Sequence, residues 1–256
     1  MLDLTNVKAP IETANGLPNG CYVDADLFQH EQNTLFRDNW AAIGFGKDLP
    51  KPGCVKPIEF AGLPLLLVRN QDNEIKVFEN VCRHRGMILV SEAQQLRGPI
   101  TCPYHAWAYD FSGELIRIPG EDVGVGIDKS GICLSTVRIE EFLGFIFFNL
   151  DTNATPLASQ LTGMNDEFRS FCAEPEKLKR AYTKTYEVKA NWKNVIENYS
   201  ECYHCPPAHP TLAQNALDMT DYRIEVRGAY HHHNSGNRGD MQGYDINIGD
   251  SPRADE

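Results

Sequence analysis

The segment Cys82-Arg83-His84, followed after 17 residues by Cys102-Pro103-Tyr104-His105, decides the fold of the first half of this chain. Each segment carries one cysteine and one histidine, so each can supply two ligands to a metal centre. Such pairs suit a [2Fe–2S] cluster in which histidine replaces cysteine on one iron. Zinc accepts the same residue types, but zinc modules usually pair cysteine with cysteine and histidine with histidine. The spacing therefore favours a two-iron cluster held by two loops.

A second group of candidate ligands lies further along the chain, in the sequence Glu201-Cys-Tyr-His204-Cys-Pro-Pro-Ala-His209. Apolar residues recur at helical spacing from Trp192 to Tyr199, which predicts a helix over residues 191–204 that Pro206-Pro207 ends. On that helix Glu201 and His204 would share a face. Two histidines with a carboxylate alongside are typical of a mononuclear non-haem Fe(II) that activates O₂. Taken alone, two histidines five residues apart are more often incidental or helix-capping than metal ligands. A zinc site built on the Cys-Tyr-His-Cys segment is a further alternative for these residues.

Short strand-like segments separated by turn residues surround the first group of ligands. The predicted strands are Val55–Phe60, Leu65–Arg69, Ile75–Phe78, Trp107–Phe111, Glu114–Ile118 and Gly144–Leu150. Asn70-Gln-Asp-Asn73 has the composition of a hairpin turn between two of them. This pattern predicts a mostly antiparallel β domain.

The flanking regions favour helices. Residues 18–40 predict an amphipathic helix with Asp24 as a possible N-cap, and residues 157–171 predict another. Residues 181–189 alternate as a strand would. The predicted parts are an N-terminal helical segment over 1–40, the β domain over 41–151 and an α+β domain over 152–256.

Composition restricts the partners and the location. The net charge of −11 argues against nucleic acid or an anionic membrane surface, because both attract basic patches. The longest apolar runs, Leu65–Val68 and Phe142–Leu150, are too short to span a membrane. The N-terminus, Met1–Asn6, lacks the pattern of a signal peptide. We therefore expect a cytoplasmic protein with no membrane or nucleic-acid partner.

In that compartment the eight cysteines are expected to be reduced, so metal ligation explains them better than disulfides. Cys21, Cys54, Cys133 and Cys172 have no ligand-like neighbours, and we expect them to be small buried residues. The run His231-His-His233 is expected to lie on the surface, because three neighbours on a strand cannot all face one metal.

The motifs resemble those of a known family. Cys82-Arg-His84-Arg-Gly and Cys102-Pro-Tyr-His105-Ala-Trp107 resemble the Rieske loops of Rieske non-haem iron oxygenase large (α) subunits, in the aromatic-ring-hydroxylating dioxygenase superfamily. Residues 197–210 resemble the iron motif of the same family, and the resemblance spans about residues 25–212. It implies an α+β fold in which a mostly antiparallel Rieske domain is inserted before a helix-grip catalytic domain.

The resemblance also implies roles for individual residues. Cluster ligands would be Cys82, His84, Cys102 and His105, and ligands of the mononuclear iron would be His204 and His209. Cys202 and Cys205 would not be ligands. Glu201 would bridge His204 to His105 of the partner subunit and so carry electrons. Most members have Asp at this position, and Glu201 is similar to the carnitine, choline and betaine monooxygenase branch, whose substrates carry a quaternary ammonium group.

By this resemblance the chain is the oxygenase component of a multicomponent system. An NAD(P)H-dependent reductase would supply the electrons, directly or through a ferredoxin. The oxygenase would be a homotrimer, with or without a β subunit, and would use O₂ to hydroxylate a small substrate. One alternative is the large subunit of an aromatic-ring-hydroxylating dioxygenase. Another, from a different class, is a Rieske-type electron carrier or a zinc-binding protein without oxygenase turnover.

The sequence departs from the family at the third iron ligand. In the family this ligand is a carboxylate far beyond the second histidine, whereas 47 residues follow His209 here. The carboxylates present in that stretch, Asp218, Asp221, Asp240, Asp245 and Asp250, do not match its position. We expect the third ligand to lie outside this chain, as in a fragment or a truncated product of a longer subunit.

Overall fold

The computed structural model describes residues 3–120, 126–215 and 217–237. They belong to two compact units. The β unit comprises Gln32–Ala158 and Glu174–Tyr182. The mixed unit comprises Met1–Glu31, Ser159–Ala173 and Thr183–Glu256. The boundaries of the three sequence domains stay predictions.

The β unit contains most of the strands. They are β1 (Ala41–Phe45), β2 (Cys54–Phe60), β3 (Leu63–Arg69), β4 (Ile75–Glu79), β5 (Gln94–Gln95), β6 (Ile100–Thr101), β7 (Ala108–Tyr109), β8 (Leu115–Arg117), β9 (Thr136–Phe142) and β10 (Phe145–Asn149). Seven form one antiparallel sheet in the order β1-β10-β9-β4-β3-β2-β5, and β6-β7-β8 form a second antiparallel sheet. The predicted fold class, with mostly antiparallel sheets, is confirmed.

Strand β3 divides the apolar core of the β unit between its two faces. Leu65 and Leu67 point into one cluster of buried residues, and Leu66 and Val68 point into another, as the two-residue period of a strand requires. The second of these clusters also contains both candidate cysteine ligands. One face of the large sheet thus packs against the metal-binding loops.

The predicted hairpin between β3 and β4 is confirmed. The backbone N–H of Asn70 donates to the Glu74 carbonyl at 2.9 Å, and the Asn70 side chain accepts from the Glu74 N–H at 2.8 Å. Asn73 adopts a positive φ of 64°, a conformation that asparagine tolerates better than most residues. The asparagine-containing segment therefore predicted the turn because Asn73 can adopt this conformation.

Helices lie at both ends of the chain. They are α1 (Gly20–Val23), α2 (Ala25–Asn33), α3 (Leu35–Asp38), α4 (Leu157–Gln160), α5 (Met164–Phe171), α6 (Trp192–Tyr199), α7 (Cys205–Ala208) and α8 (Pro210–Asn215). Short 3₁₀ turns occur at Gly46–Asp48 and Pro175–Lys177. A two-stranded antiparallel hairpin, β11 (Leu217–Arg227) with β12 (Tyr230–Asn237), follows α8. No helix of the described residues is long and apolar enough to cross a membrane.

The predicted helix over residues 18–40 is interrupted. Asp24 separates α1 from α2, and its carboxylate accepts the backbone N–H groups of Asp26 and Leu27 at 2.9 and 3.0 Å. This confirms the N-cap prediction. Likewise the helix predicted over 157–171 is divided before Gly163, whose φ of 86° is incompatible with a continuous α-helix.

Two further expectations were wrong. Residues 181–189 form no regular strand and are exposed, because no neighbouring strand pairs with them. The helix predicted over 191–204 ends at Tyr199, and Pro206-Pro207 lie in the first turn of α7 rather than after a helix end. Proline is tolerated there because the N–H groups of a first turn have no partner within the helix.

Candidate metal sites

The two loops that carry the first ligand group share one backbone design. The N–H of Cys82 donates to the Met87 carbonyl, and the N–H of Cys102 donates to the Trp107 carbonyl, each at 2.8 Å. In both loops the fourth residue after the cysteine donates its N–H back to the cysteine carbonyl at 3.0 Å. Those residues, Gly86 and Ala106, have positive φ values of 72° and 54°. Two matching tight turns therefore present the two cysteine–histidine pairs.

Both cysteines are buried, with 2% and 3% of Cys82 and Cys102 exposed. The Sγ atom of Cys82 lies 3.3 Å from the hydroxyl oxygen of Tyr109, which also accepts the backbone N–H of Arg83 at 3.0 Å. Burial is the first cause that raises the pKa of Tyr109, and the contact with Cys82 is the second. Tyr109 therefore remains a neutral hydroxyl that can donate to the sulfur.

The two histidines of the group lie side by side. The rings of His84 and His105 have centroids 4.7 Å apart in an edge-on arrangement. His84 also stacks on the buried indole of Trp107, at 4.7 Å with an interplanar angle of 7°. Trp107 thus fixes the plane of one imidazole, and Tyr104 packs against the other with centroids 3.7 Å apart.

The Nδ1 atoms of His84 and His105 have the surroundings expected of metal ligands. Both atoms are buried and have no hydrogen-bond partner among the described residues. A buried polar nitrogen without a partner is costly, and coordination to a metal would satisfy it. Burial first, and then the charges of His105 and Arg85, lowers the pKa of His84. A neutral imidazole is the form that binds a metal, so this donor set suits the iron–sulfur cluster.

In the second group, a turn rather than a helix brings Glu201 to His204. Oε1 of Glu201 lies 2.6 Å from Nδ1 of His204, and the second carboxylate oxygen accepts the Tyr203 N–H. The hydrogen bond to His204 is the main cause that lowers the pKa of Glu201. Glu201 is therefore an anion that orients His204 through one ring nitrogen.

His209 completes this group. Its ring centroid is 5.4 Å from that of His204, and the two rings are nearly perpendicular. The side-chain amide of Asn198, on α6, lies 3.4 Å from Nδ1 of His204. The short helix α7, which has His204 at its N-cap and His209 at its C-cap, brings the two imidazoles together. The roles of His204 and His209 as iron ligands stay predictions.

The redox state and burial of the other six cysteines agree only in part with the sequence predictions. Cys202 and Cys205 form a disulfide, because the turn between α6 and α7 brings their Cα atoms to 5.0 Å. The expectation that all eight cysteines are reduced was therefore wrong for this pair. Cys21 and Cys54 are buried thiols as expected, whereas Cys133 is exposed and Cys172 is half-buried.

No third carboxylate joins these histidines among the described residues. Asp218 accepts from the N–H and hydroxyl of Thr220, and Asp221 pairs with Arg223 at 2.5 Å. The other candidates, Asp240, Asp245 and Asp250, lie outside the described residues. Across the described ranges, no three His, Cys, Asp or Glu side chains gather around a point that could hold one metal ion. A two-iron cluster needs only two protein ligands at each iron.

Three sets of contacts that support the candidate sites were not predicted from the sequence. Tyr109 carries no motif of its own, although its place two residues after Trp107, next to the second ligand loop, could have indicated it. The other two anchor α6, the helix that precedes the second group of ligands: Tyr22 donates to Glu197, and Glu31 accepts from Trp192 and Lys193. Nothing in local sequence predicts contacts over such separations.

Comparison with protein families gives two matches. Residues 39–135 match the Rieske [2Fe-2S] domain, and residues 175–253 match the ring hydroxylating alpha subunit (catalytic domain). The two matched segments contain all seven residues singled out as cluster ligands, iron ligands and bridge. They follow each other in the order that the sequence motifs predict.

Curated relatives include two kinds of oxygenase subunit. The chain is 38% identical over 210 residues to the carnitine monooxygenase oxygenase subunit of Escherichia coli (strain K12), covering 82% of this chain and 56% of the relative. It is 31% identical over 205 residues to the glycine betaine monooxygenase oxygenase subunit of Pseudomonas aeruginosa (strain UCBPP-PA14), covering 80% and 47%. The chain thus spans about half the length of these relatives.

Solved structures agree with these matches. The quaternary ammonium Rieske monooxygenase CntA in complex with L-carnitine superposes with a TM-score of 0.79 at 32% identity, covering 85% of this chain and 62% of that chain. Naphthalene 1,2-dioxygenase with indole bound in the active site superposes with a TM-score of 0.67 at 31% identity, covering 77% and 46%.

Proposed function

Because this chain belongs to the Rieske non-haem iron oxygenase large-subunit family, we propose that it is the oxygenase component of a system that hydroxylates a quaternary ammonium compound. When bound, the [2Fe–2S] cluster supplies single electrons and the mononuclear Fe(II) supplies O₂ activation. The observation that carries the proposal is the 2.6 Å contact between Glu201 and His204, next to the ring of His209.

The first task of the chain is to hold the cluster. The thiolates of Cys82 and Cys102 would bind one iron, and the buried Nδ1 atoms of His84 and His105 would bind the other. Trp107 keeps the His84 ring in one plane through its stacking contact. With Nδ1 directed inward, the Nε2 side of His105 is left to make an outer hydrogen bond.

The second task is to connect the two centres. Glu201 has two carboxylate oxygens, and one of them already binds Nδ1 of His204. A carboxylate that accepts from two imidazoles fixes both rings and shortens the electron path between them. We assign the outer hydrogen bond to His105 of the partner subunit, which makes the oligomer, as a trimer, a requirement for turnover.

The third task is to hold the mononuclear iron and leave positions open for O₂. His204 would bind through Nε2, since Nδ1 is engaged by Glu201. His209 would supply the second imidazole from the end of α7. Asn198 lies beside the His204 ring. Because both ring nitrogens would then be engaged, its amide is left to orient a bound water.

The proposed substrate class and partners are inferred from similarity to known oxygenase subunits. The relatives named for carnitine and glycine betaine both act on quaternary amines by their names, and Glu201 matches the bridging residue of that branch. A separate NAD(P)H-dependent reductase, with or without a ferredoxin, would deliver the electrons. The cytoplasmic location stays part of the same proposal.

A substrate panel tests the proposal. Purified iron-loaded protein would be combined with a purified reductase of this class, NADH and O₂, and the products analysed by mass spectrometry. We expect oxidation of L-carnitine, glycine betaine or choline, and no oxidation of naphthalene or benzoate. Loss of product in the Glu201→Gln variant provides the matched control.

The panel also separates the alternatives. Dihydroxylated naphthalene without oxidation of any quaternary amine would support an aromatic-ring dioxygenase, which the similarity to naphthalene 1,2-dioxygenase favours. Reversible reduction of the cluster with no product from any substrate would contradict oxygenase turnover and support an electron carrier.

A further inference from the structure

His231 and His233 form a pair on one face of strand β12. Residues two apart on a strand point to the same side, and these two pair across the hairpin with Val226 and Ile224. Nδ1 of His231 lies 2.6 Å from Nε2 of His233, and the ring centroids are 4.7 Å apart. Two imidazole nitrogens therefore converge on one point.

A tyrosine holds the second ring of this pair in place. Nδ1 of His233 lies 2.6 Å from the hydroxyl oxygen of Tyr222, and its Nε2 is thereby directed at His231. A hydrogen bond on the far nitrogen is the usual way in which proteins orient a metal-binding histidine.

The middle histidine of the run belongs to the other face. His232 pairs across the hairpin with Glu225, and its Nδ1 lies 2.5 Å from Oε1 of Glu167 on α5. Glu167 also pairs with Arg227 at 2.8 Å. His232 is therefore in ionic contact with a carboxylate on α5, although its Nδ1 makes no hydrogen bond, and it lies on the opposite face of β12 from the two nitrogens that converge.

We propose that His231 Nδ1 and His233 Nε2 chelate a divalent transition metal of the zinc class. In the metal-free protein one ring donates its N–H proton to the other. On metal binding that proton would move to the far nitrogen of its own ring, so both imidazoles stay neutral. At zinc–nitrogen distances of about 2.0–2.1 Å, tetrahedral binding needs the two nitrogens about 3.3 Å apart. The rings would separate by less than an ångström, and water would occupy the remaining positions.

The surroundings of the pair allow a metal to enter. His231 is exposed and His233 is half-buried, so one ligand meets solvent directly. Both, together with His232, line a cleft of about 290 Å³ that Tyr199, at the end of α6, also lines. Imidazole ligands suit zinc, copper and nickel rather than magnesium or calcium. This site is independent of the oxygenase proposal, because none of its ligands belongs to the cluster or the mononuclear iron site.

Zinc titration of the full chain, purified without a tag and loaded with its iron and sulfide, tests the proposal. Calorimetry and metal analysis together would report how many zinc ions bind while the iron content stays constant. We expect one zinc ion per chain, and His231→Ala or His233→Ala should abolish its binding. Tyr222→Phe should weaken it by about tenfold, because the His233 ring loses its orienting bond.

His232→Ala is the matched control, since it removes a neighbouring histidine from the opposite face and should bind zinc as the wild type does. His204→Ala/His209→Ala should also retain the zinc ion. The proposal would be overturned by absence of zinc binding, by undiminished binding in His233→Ala, or by equal loss in His232→Ala.

Discussion

Oε1 of Glu201 lies 2.6 Å from Nδ1 of His204, so the carboxylate next to a candidate iron ligand is already hydrogen-bonded to it. Glu201→Gln keeps the shape and removes the charge. We expect substrate-coupled O₂ consumption to fall by about 100-fold, as for other carboxylates that orient metal-binding histidines, while the absorption spectrum of the cluster is unchanged. Glu201→Asp, which keeps the charge one methylene further away, should retain intermediate activity. Wild-type turnover in Glu201→Gln would contradict the electron path.

The hydroxyl group of Tyr109, 3.3 Å from Sγ of Cys82, should influence the reduction potential of the cluster. Hydrogen bonds to the sulfur ligands stabilise the reduced form. A bond of about 1 kcal/mol corresponds to about 40 mV for one electron. Tyr109→Phe should therefore lower the potential by about that amount in a redox titration. Tyr104→Phe, which removes an exposed hydroxyl, serves as the control and should leave the potential unchanged.

An ion pair between Glu31 and Lys193 connects the N-terminal segment to α6. The ammonium group of Lys193 contacts both oxygens of Glu31 at 2.6 and 2.7 Å, and the side chains are only 14% and 8% exposed for Glu31 and Lys193. Glu31→Gln leaves a buried ammonium without its counter-charge. We expect it to lower the free energy of unfolding by about 3 kcal/mol in urea denaturation.

The double variant Glu31→Leu/Lys193→Met removes both charges, and it should be more stable than Glu31→Gln. If Glu31→Gln unfolds at the wild-type urea concentration, the pair does not stabilise α6.

Tyr22 should make the stability of the mixed unit depend on pH in the alkaline range. Its hydroxyl donates to both carboxylate oxygens of Glu197, at 2.7 and 2.9 Å, and this raises the pKa of Tyr22 to about 12. Because the folded pKa exceeds the unfolded value of about 10, the contribution to stability is complete below about pH 10. It is lost as the pH rises toward 12. Between pH 10 and pH 12 the melting temperature should fall more steeply with pH for the wild type than for Tyr22→Phe. An equal fall in both proteins would contradict the prediction.

Much of the first site could be predicted from sequence, because its ligands lie in two short loops. Cys82, His84, Cys102 and His105 occupy the paired turns that their spacing indicated, and the strands around them have strong apolar alternation. The backbone symmetry of the two loops could not be predicted. It depends on the positive φ of Ala106, a residue that does not indicate such a conformation.

The second site was predicted less completely. Its residues were identified, but the helix was extended to His204 because proline was interpreted as a terminator. In the structure Pro206 and Pro207 begin α7 instead. The hairpin β11–β12 was missed because its exposed strands carry many polar residues, and the pairing of His231 with His233 depends on that hairpin. Contacts such as Glu31 with Lys193 join distant residues that no local pattern connects.

The most direct test of the two-site arrangement is the content of iron, acid-labile sulfide and zinc per chain, measured on protein purified anaerobically without a tag. We expect about two sulfides and about three irons, two for the cluster and one held by His204 and His209 with a local carboxylate or water in place of the missing third ligand. His84→Ala should lose the sulfide together with the cluster iron. Zinc without sulfide in the wild-type protein would contradict both sites.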